Sequence, residues 1–271
     1  TYRRDFTINA LYYCPITGKI EDHNKGLKHI HNKEIVSIGD PDLRFEEDPV
    51  RSLRAIRFCT KLNFKINNNI KEAIYKKGHL LSSVSNARLF DEFCKIFLNG
   101  MAEKNFNKLV SFGLNKYLVS TNLNGCEFSN QLIIEALRNT DNRIKNNQSV
   151  TPGFLIAALL WPQLIKKSLK GNEINLKKFF RSMDSILRNQ QKITAIPRKF
   201  HTYIKDIWVL QLKLHSRIGK QPYKTLKHPR FRAAYDFLLV REKAAAKTKD
   251  LGFWWTEFQK NNEDLKKKLI N

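Results

Sequence analysis

The stretch Glu46 to Phe58, EEDPVRSLRAIRF, constrains this chain most, because it prescribes a helix start together with the chemistry of two helix faces. Proline is tolerated in the first helical turn, where its missing N–H has no partner to lose, so Pro49 marks the entry and Asp48 is placed to cap the free amides. The acids of this stretch therefore read as the beginning of one helix. Arg51, Arg54 and Arg57 follow at three-residue spacing and climb one side near Asp48, while Leu53, Ile56 and Phe58 can face a core.

An acid followed by a ladder of arginines can read a nucleotide. Adenine presents an amino donor beside a ring acceptor, which a carboxylate and a guanidinium held together can match, leaving the other arginines for phosphates. The same pattern also fits a solvated amphipathic helix laced with intrahelical ion pairs, each contributing a few tenths of a kcal/mol. The helix by itself leaves both readings open.

The chain has 271 residues, 42% of them hydrophobic, enough to bury a core and to build two or three subdomains. No apolar run approaches membrane-spanning length and the N-terminus lacks the layout of a signal peptide, so a cytoplasmic location, no membrane partner and a monomer are expected. Cys14, Cys59, Cys94 and Cys126 form no C-x-x-C pair, which points to buried free thiols rather than a zinc or redox site. A net charge of +24 is far more than solubility requires, and a polyanion partner is the simplest reason for it.

At the N-terminus the chain enters at once a polar run, TYRRDFTINALYY, as if in the middle of a structure. Asp5 is placed to cap a helical turn from Phe6 to Ala10. Leu11 to Cys14 and Lys19 to Asp22 flank Pro15-Ile16-Thr17-Gly18, a hairpin turn, and because two strands cannot bury a face alone, the rest of their sheet is expected upstream. Residues 21–26 read as a loop, and residues 35–41 as a short strand and a turn. Asp40-Pro41-Asp42 has the spacing of paired metal carboxylates, but Gly39 and Pro41 make it read as an exposed turn.

Arg3-Arg4-Asp5-Phe6-Thr7-Ile8-Asn9-Ala10-Leu11 and, about forty residues on, Glu47-Asp48-Pro49-Val50-Arg51-Ser52-Leu53-Arg54-Ala55-Ile56-Arg57-Phe58 resemble two signature motifs of the class II tRNA nucleotidyltransferase and poly(A) polymerase family. The resemblance implies that Asp5 is a catalytic carboxylate by the ribose and metal and that Arg4 faces the phosphates. It implies likewise that Asp48 and Arg51 select the base while Arg54 and Arg57 support the nucleotide. In the family the metal carboxylate pair and a Gly-Gly loop precede the first motif, so no metal site is expected within this chain.

Beyond Phe58 the pattern is helical: Ile70 to Lys76, then Ala87 to Leu98 with Leu89, Phe90, Phe93, Ile96 and Phe97 as a broad apolar stripe. Ser85 to Glu92 resembles the poly(A) polymerase branch more than the CCA-adding branch, since Phe90 stands where a second basic residue is expected in the latter. Arg88 fits either a role in ordering the nucleotide pocket or an exposed position on the neck. From Gln131 onward only helices are expected. Thr151-Pro152 opens Phe154 to Trp161, apolar all round and hence central; Asn175 caps a helix with Leu176, Phe179, Phe180, Met183, Ile186 and Leu187 toward the core. Ile196-Pro197 and His228-Pro229 open two more. Arg198, Lys199, Lys205, Arg230 and Arg232 interleave with Trp208, Tyr223, Trp254 and Trp255, which suits phosphate contacts and base stacking on single-stranded RNA. The alternative is that the tryptophans are core and the cations solvating. Segments 206–212 and 228–238 also resemble the body of the bacterial poly(A) polymerase branch, although a long arginine-rich C-terminal tail, frequent in that group, is not seen.

The expected fold is mainly α: the C-terminal remnant of an α/β nucleotidyltransferase head at residues 1–45, a nucleotide-selecting helical neck at 46–120 and a helical RNA-binding body at 121–271. The resemblance implies template-independent addition of AMP from ATP to RNA 3′ ends, with Mg2+, in mRNA processing and turnover. A CCA-adding enzyme and a non-catalytic RNA-binding remnant are the alternatives.

Overall fold

The fold is that of a computed structural model, which describes residues 4–120, 127–171, 173–244, 248 and 250–270. Arg3 of the first motif, Cys126 and the junction at residue 121 lie outside the described residues. The chain forms two compact units, residues 1–118 and 119–271.

The first unit contains β1 (Tyr12–Tyr13), β2 (Ile20–Glu21), α1 (Gly26–His31), β3 (Glu34–Ile35), α2 (Pro41–Glu47), α3 (Val50–Leu62), β4 (Lys65–Ile66), α4 (Asn68–Lys77), α5 (Asn86–Phe97) and α6 (Ala102–Ser111). The expected hairpin is present: β1 and β2 pair antiparallel across a turn closed by Gly18 N–H donating to Cys14 O at 2.9 Å. Its apolar residues Tyr13, Ile16 and Ile20 are exposed.

Several elements differ from the sequence reading. Residues 26–31 are helical, because both oxygens of Asp22 accept from the first amides of α1, Gly26 at 2.7 Å and Leu27 at 2.9 Å. Gly26 also lies so close to the Thr7 carbonyl that a Cβ there would sit 2.4 Å from it. Asp40-Pro41-Asp42 is a helix start rather than a turn, with Asp40 Oδ1 accepting from the Asp42 amide at 2.9 Å. Glu46 and Glu47 consequently end α2 instead of beginning the next helix. Asp48 does serve the start of α3, accepting from Val50 N–H at 3.2 Å. Asp5 caps nothing: the following turn is a 3-10 segment, Thr7–Asn9, and its carboxylate has other partners. Cys14 is half-exposed, whereas Cys59 is buried and donates to Phe64 O.

β3 and β4 pair in parallel, Glu34 with Lys65 and Ile35 with Ile66. Residues 5–7 lie against residues 36–38, with Phe6 bridging Ser37, Thr7 N–H donating to Val36 O and Ile38 N–H donating to Asp5 O. This clamp fixes the first motif beside α3. Leu53, Ala55 and Ile56 of α3 are fully buried, as are Phe93, Ile96 and Phe97 of α5. Phe90 joins that core, stacked on Phe93. Phe58 is half-buried at its edge, against Phe6.

The second unit contains α7 (Glu127–Lys145), α8 (Pro152–Ser168), β5 (Leu169–Lys170), β6 (Glu173–Ile174), α9 (Leu176–Gln191), α10 (Arg198–Lys213), α11 (Gln221–Leu226), α12 (Phe231–Lys243), α13 (Leu251–Lys260) and α14 (Glu263–Ile270). Thr151 and Asn175 cap α8 and α9 as expected. Residues 155–161 of α8 are buried on all sides, and the helix packs against α7, α9 and α10. Against the helices-only expectation, β5 and β6 form a small antiparallel hairpin, with Gly171 at a left-handed φ of 63° in its turn. Leu176 and Phe180 fall on the exposed side of α9 rather than in the core. Among the described residues no helix is long and apolar enough to cross a membrane.

Candidate functional site

The two sequence motifs meet at one carboxylate. Asp5 is 6% exposed; Arg51 Nε donates to its Oδ1 at 3.1 Å, and Arg54 Nη2 lies 2.6 Å from Oδ2 as an ion contact without hydrogen-bond alignment. Arg51 is held further by Glu47 Oε2 at 2.9 Å and by the Arg44 carbonyl at 2.8 Å. That hydrogen bond from Arg51 holds the Glu47 carboxyl below its ordinary pKa. Arg44 in turn donates to the Arg4 carbonyl at 2.8 Å, while the Arg4 side chain stays exposed.

The Asp48 and Arg51 side chains have different partners. The Asp48 carboxylate takes Arg88, whose Nη2 lies 2.7 Å from Oδ2, and the Arg51 guanidinium is occupied by Asp5, Glu47 and a carbonyl. Arg57 lies 3.9 Å from Glu92 Oε2, and Glu92, 4% exposed, also accepts from Lys95 at 2.8 Å. Arg44, Arg88 and Glu92 are the members of this cluster that sequence reasoning missed or left undecided. Their spacing to the motifs carries no periodic signal, and only packing brings them in.

These carboxylates do not fit a divalent metal. Both Asp5 oxygens face guanidinium groups, and Asp40 is engaged by its own helix. What the cluster can do is hold an anionic ligand: Arg54, with its side chain 32% exposed, and the exposed Arg4 retain donors that face outward.

In the second unit the core reading of the tryptophans holds. Trp208, Trp254 and Trp255 are buried, and their indole N–H groups donate to the carbonyls of Ala157, Leu269 and Leu214. Tyr223 packs on Phe258 at the margin of the same cluster. The cations are distributed otherwise: Lys205 pairs with Asp184 at 2.6 Å, Arg198 and Lys199 are exposed at the start of α10, and Arg230 and Arg232 share a cleft with Arg143.

Residues 1–36 match the family model described as "Poly A polymerase head domain", and residues 63–121 match "Probable RNA and SrmB- binding site of polymerase A". Residues 172–271, where the sequence reading finds no arginine-rich tail, match "Polymerase A arginine-rich C-terminus". The chain is 37% identical to poly(A) polymerase I of Salmonella typhi over 99% of its own length and 60% of the relative's. It thus spans about three-fifths of the length of that curated relative. A CCA-adding enzyme of Lactococcus lactis is 38% identical over 43% of this chain and 29% of its own. Among solved structures, a tRNA-processing enzyme in an apo form superposes with a TM-score of 0.67 at 20% identity, covering 100% of this chain and 74% of that one.

Proposed function

Because the chain belongs to the class II tRNA nucleotidyltransferase and poly(A) polymerase family, we propose that the protein adds AMP from ATP to RNA 3′ ends, a polynucleotide adenylyltransferase reaction. The observation that carries this reading is the meeting of the two motifs at the buried Asp5, which pairs with Arg51, 46 residues on, and with Arg54. In the proposed reaction the RNA 3′ hydroxyl attacks the α-phosphorus of ATP, a new phosphodiester forms, and the bond to pyrophosphate breaks. Arg4, Arg54 and Arg57 offset phosphate charge, while Asp48 and Arg51 present the acceptor and donors that face the base. Asp5 acts here as the residue that orients Arg51 and Arg54 beside the ribose. Family membership implies a nucleotide substrate and a divalent metal, which we take to be ATP and Mg2+; since the carboxylates described above do not fit an ion, its ligands belong elsewhere in the whole protein.

RNA is the proposed polyanion partner, held by Arg198, Lys199, Lys205, Arg230 and Arg232 of the second unit, and this activity on transcripts belongs in the cytoplasm. Residues 63–121 add a second basic surface, where Lys104 and Lys108 border an open pocket floored by Cys59 and Phe64. The exposed apolar hairpin β1–β2 supports a preceding sheet that covers it in the whole protein.

Incubating the full gene product with a short RNA, magnesium and either ATP or CTP tests the proposal. Long ladders with ATP alone are expected. The similarity to a CCA-adding enzyme over 43% of the chain favours one rival, for which extension stops after a few nucleotides and requires CTP.

A further inference from the structure

The cleft shared by α7, α8, α10 and α12 in the second unit has a volume of about 220 Å³, well beyond that of one water. Its lining combines cations, aromatic rings and one carboxylate. Arg230 and Arg232, both exposed, flank the start of α12, which has no side-chain cap. Phe154 and Tyr203 line its apolar wall, with the Arg230 guanidinium 5.0 Å from the Tyr203 ring centroid. The remaining wall carries Asp236, whose side chain is 15% exposed; Arg143 Nη1 lies 3.3 Å from its Oδ2 and Arg232 Nε 3.1 Å from its Oδ1.

Three arginines stand against one carboxylate in this lining, so an anionic group is attracted rather than a cation. Two of the arginines are held by Asp236, which leaves Arg230, beside the aromatic residues, as the cation placed for a ligand anion. A ligand with an anionic group, a flat body and an N–H donor for the carboxylate matches these residues. Burial raises the Asp236 carboxyl above its ordinary pKa, and the neighbouring Arg232 and Arg143 oppose that rise.

We propose that this cleft binds one unpaired nucleotide, its phosphate on Arg230, its base against Tyr203 and Phe154, and its exocyclic amino group on Asp236. The inference rests on the reading of RNA as partner for its biological source, since the same chemistry is offered by a strand of RNA or by a free nucleotide. Adenine, which carries the amino donor, is favoured over uracil, which presents carbonyl oxygen there.

Photo-crosslinking of the 271-residue chain with 8-azido-AMP and with an oligoadenylate carrying one 8-azidoadenosine, followed by peptide mapping, tests the site directly. Label is expected on peptides containing Tyr203 or Phe154. Arg230→Ala, at an exposed position, is expected to reduce that label about tenfold, whereas Arg181→Ala, exposed and outside the cleft, leaves it within about twofold. Unlabelled oligoadenylate is expected to compete several-fold better than oligouridylate, and Asp236→Asn to narrow that gap. Label only on other peptides, or label indifferent to Arg230→Ala, overturns the site. Labelling by the oligonucleotide identifies an RNA strand as the source; labelling by 8-azido-AMP alone, with no oligoadenylate bound anywhere, leaves the nucleotide site standing and removes the RNA partner from the proposed function.

Discussion

Arg88 Nη2 lies 2.7 Å from Asp48 Oδ2, so a residue on the first turn of α5 fixes the carboxylate that precedes α3. Arg88 is half-exposed and the pair is solvated, which limits its contribution to stability to about 1 kcal/mol or less. Its effect on orientation is larger, because Arg88 holds Oδ2 while the Val50 amide holds only Oδ1. In the full gene product Arg88→Ala is expected to lower the preference for ATP over CTP by about tenfold, with the thermal midpoint nearly unchanged. Competition between the two nucleotides for incorporation measures the first, and a melting curve the second. An unchanged preference would show that Asp48 is positioned without Arg88.

The Asp5 carboxylate is the more buried centre, and its removal takes the counter-charge from Arg54 and leaves Arg51 with Glu47 alone. Breaking such a pair costs on the order of 3 kcal/mol, so Asp5→Ala is expected to destabilise the first unit by roughly that amount. Arg51→Ala is expected to cost more than Arg54→Ala, since Arg51 also satisfies Glu47 and the Arg44 carbonyl and is the less exposed of the two. Urea melts of the three variants give the ranking, and equal costs for Arg51 and Arg54 would contradict it.

The caps at Thr151 and Asn175, the hairpin at Gly18 and the α5 stripe were legible in the sequence because each depends on residues within a few positions of one another. So was the arginine ladder, but not its partners. Arg51 reaches Asp5 across 46 residues, Arg143 reaches Asp236 across 93, and β3 pairs with β4 across an intervening pair of helices; no local periodicity encodes these. Trp208, Trp254 and Trp255 alternate with cations along the chain, so the sequence fits stacking platforms as well as core. Packing places them inside, where each indole N–H finds a carbonyl, and leaves Tyr203, which the composition did not single out, at the cleft.

The thiols Cys14, Cys59 and Cys94 are expected to differ sharply toward an alkylating reagent. The side-chain hydrogen bond with Thr17 lowers the pKa of Cys14 in the hairpin, whereas burial raises that of Cys59 and pushes Cys94 up to about 11, with the Asp91 carboxylate adding to the rise. Since the thiolate is the reactive form, Cys14 should be alkylated first at neutral pH and the other two only after unfolding. Peptide mass spectrometry at increasing times with iodoacetamide checks the order; early modification of Cys94 would contradict it.

Asp22 gives the N-terminal region a pH dependence with a definite sign. Its carboxyl lies below the ordinary aspartate pKa because the Leu27 amide, followed by those of Gly26 and Asn24, donates to it. A depressed folded pKa means that the unfolded chain takes up the proton first on acidification. The stabilisation is therefore complete above the ordinary aspartate value, about 4, and is lost as pH falls through the lower folded value. Helix α1 should fray in that window while α3, whose start depends on Asp48 and Pro49, persists longer. Amide exchange at Gly26 and Leu27 as a function of pH, corrected for intrinsic rates, measures the loss. Asp22→Ala is expected to cost about 1 kcal/mol at neutral pH and to abolish the pH dependence of those two amides. If the variant keeps the wild-type acid transition, another carboxyl governs α1, and the cap formed by Asp22 is secondary.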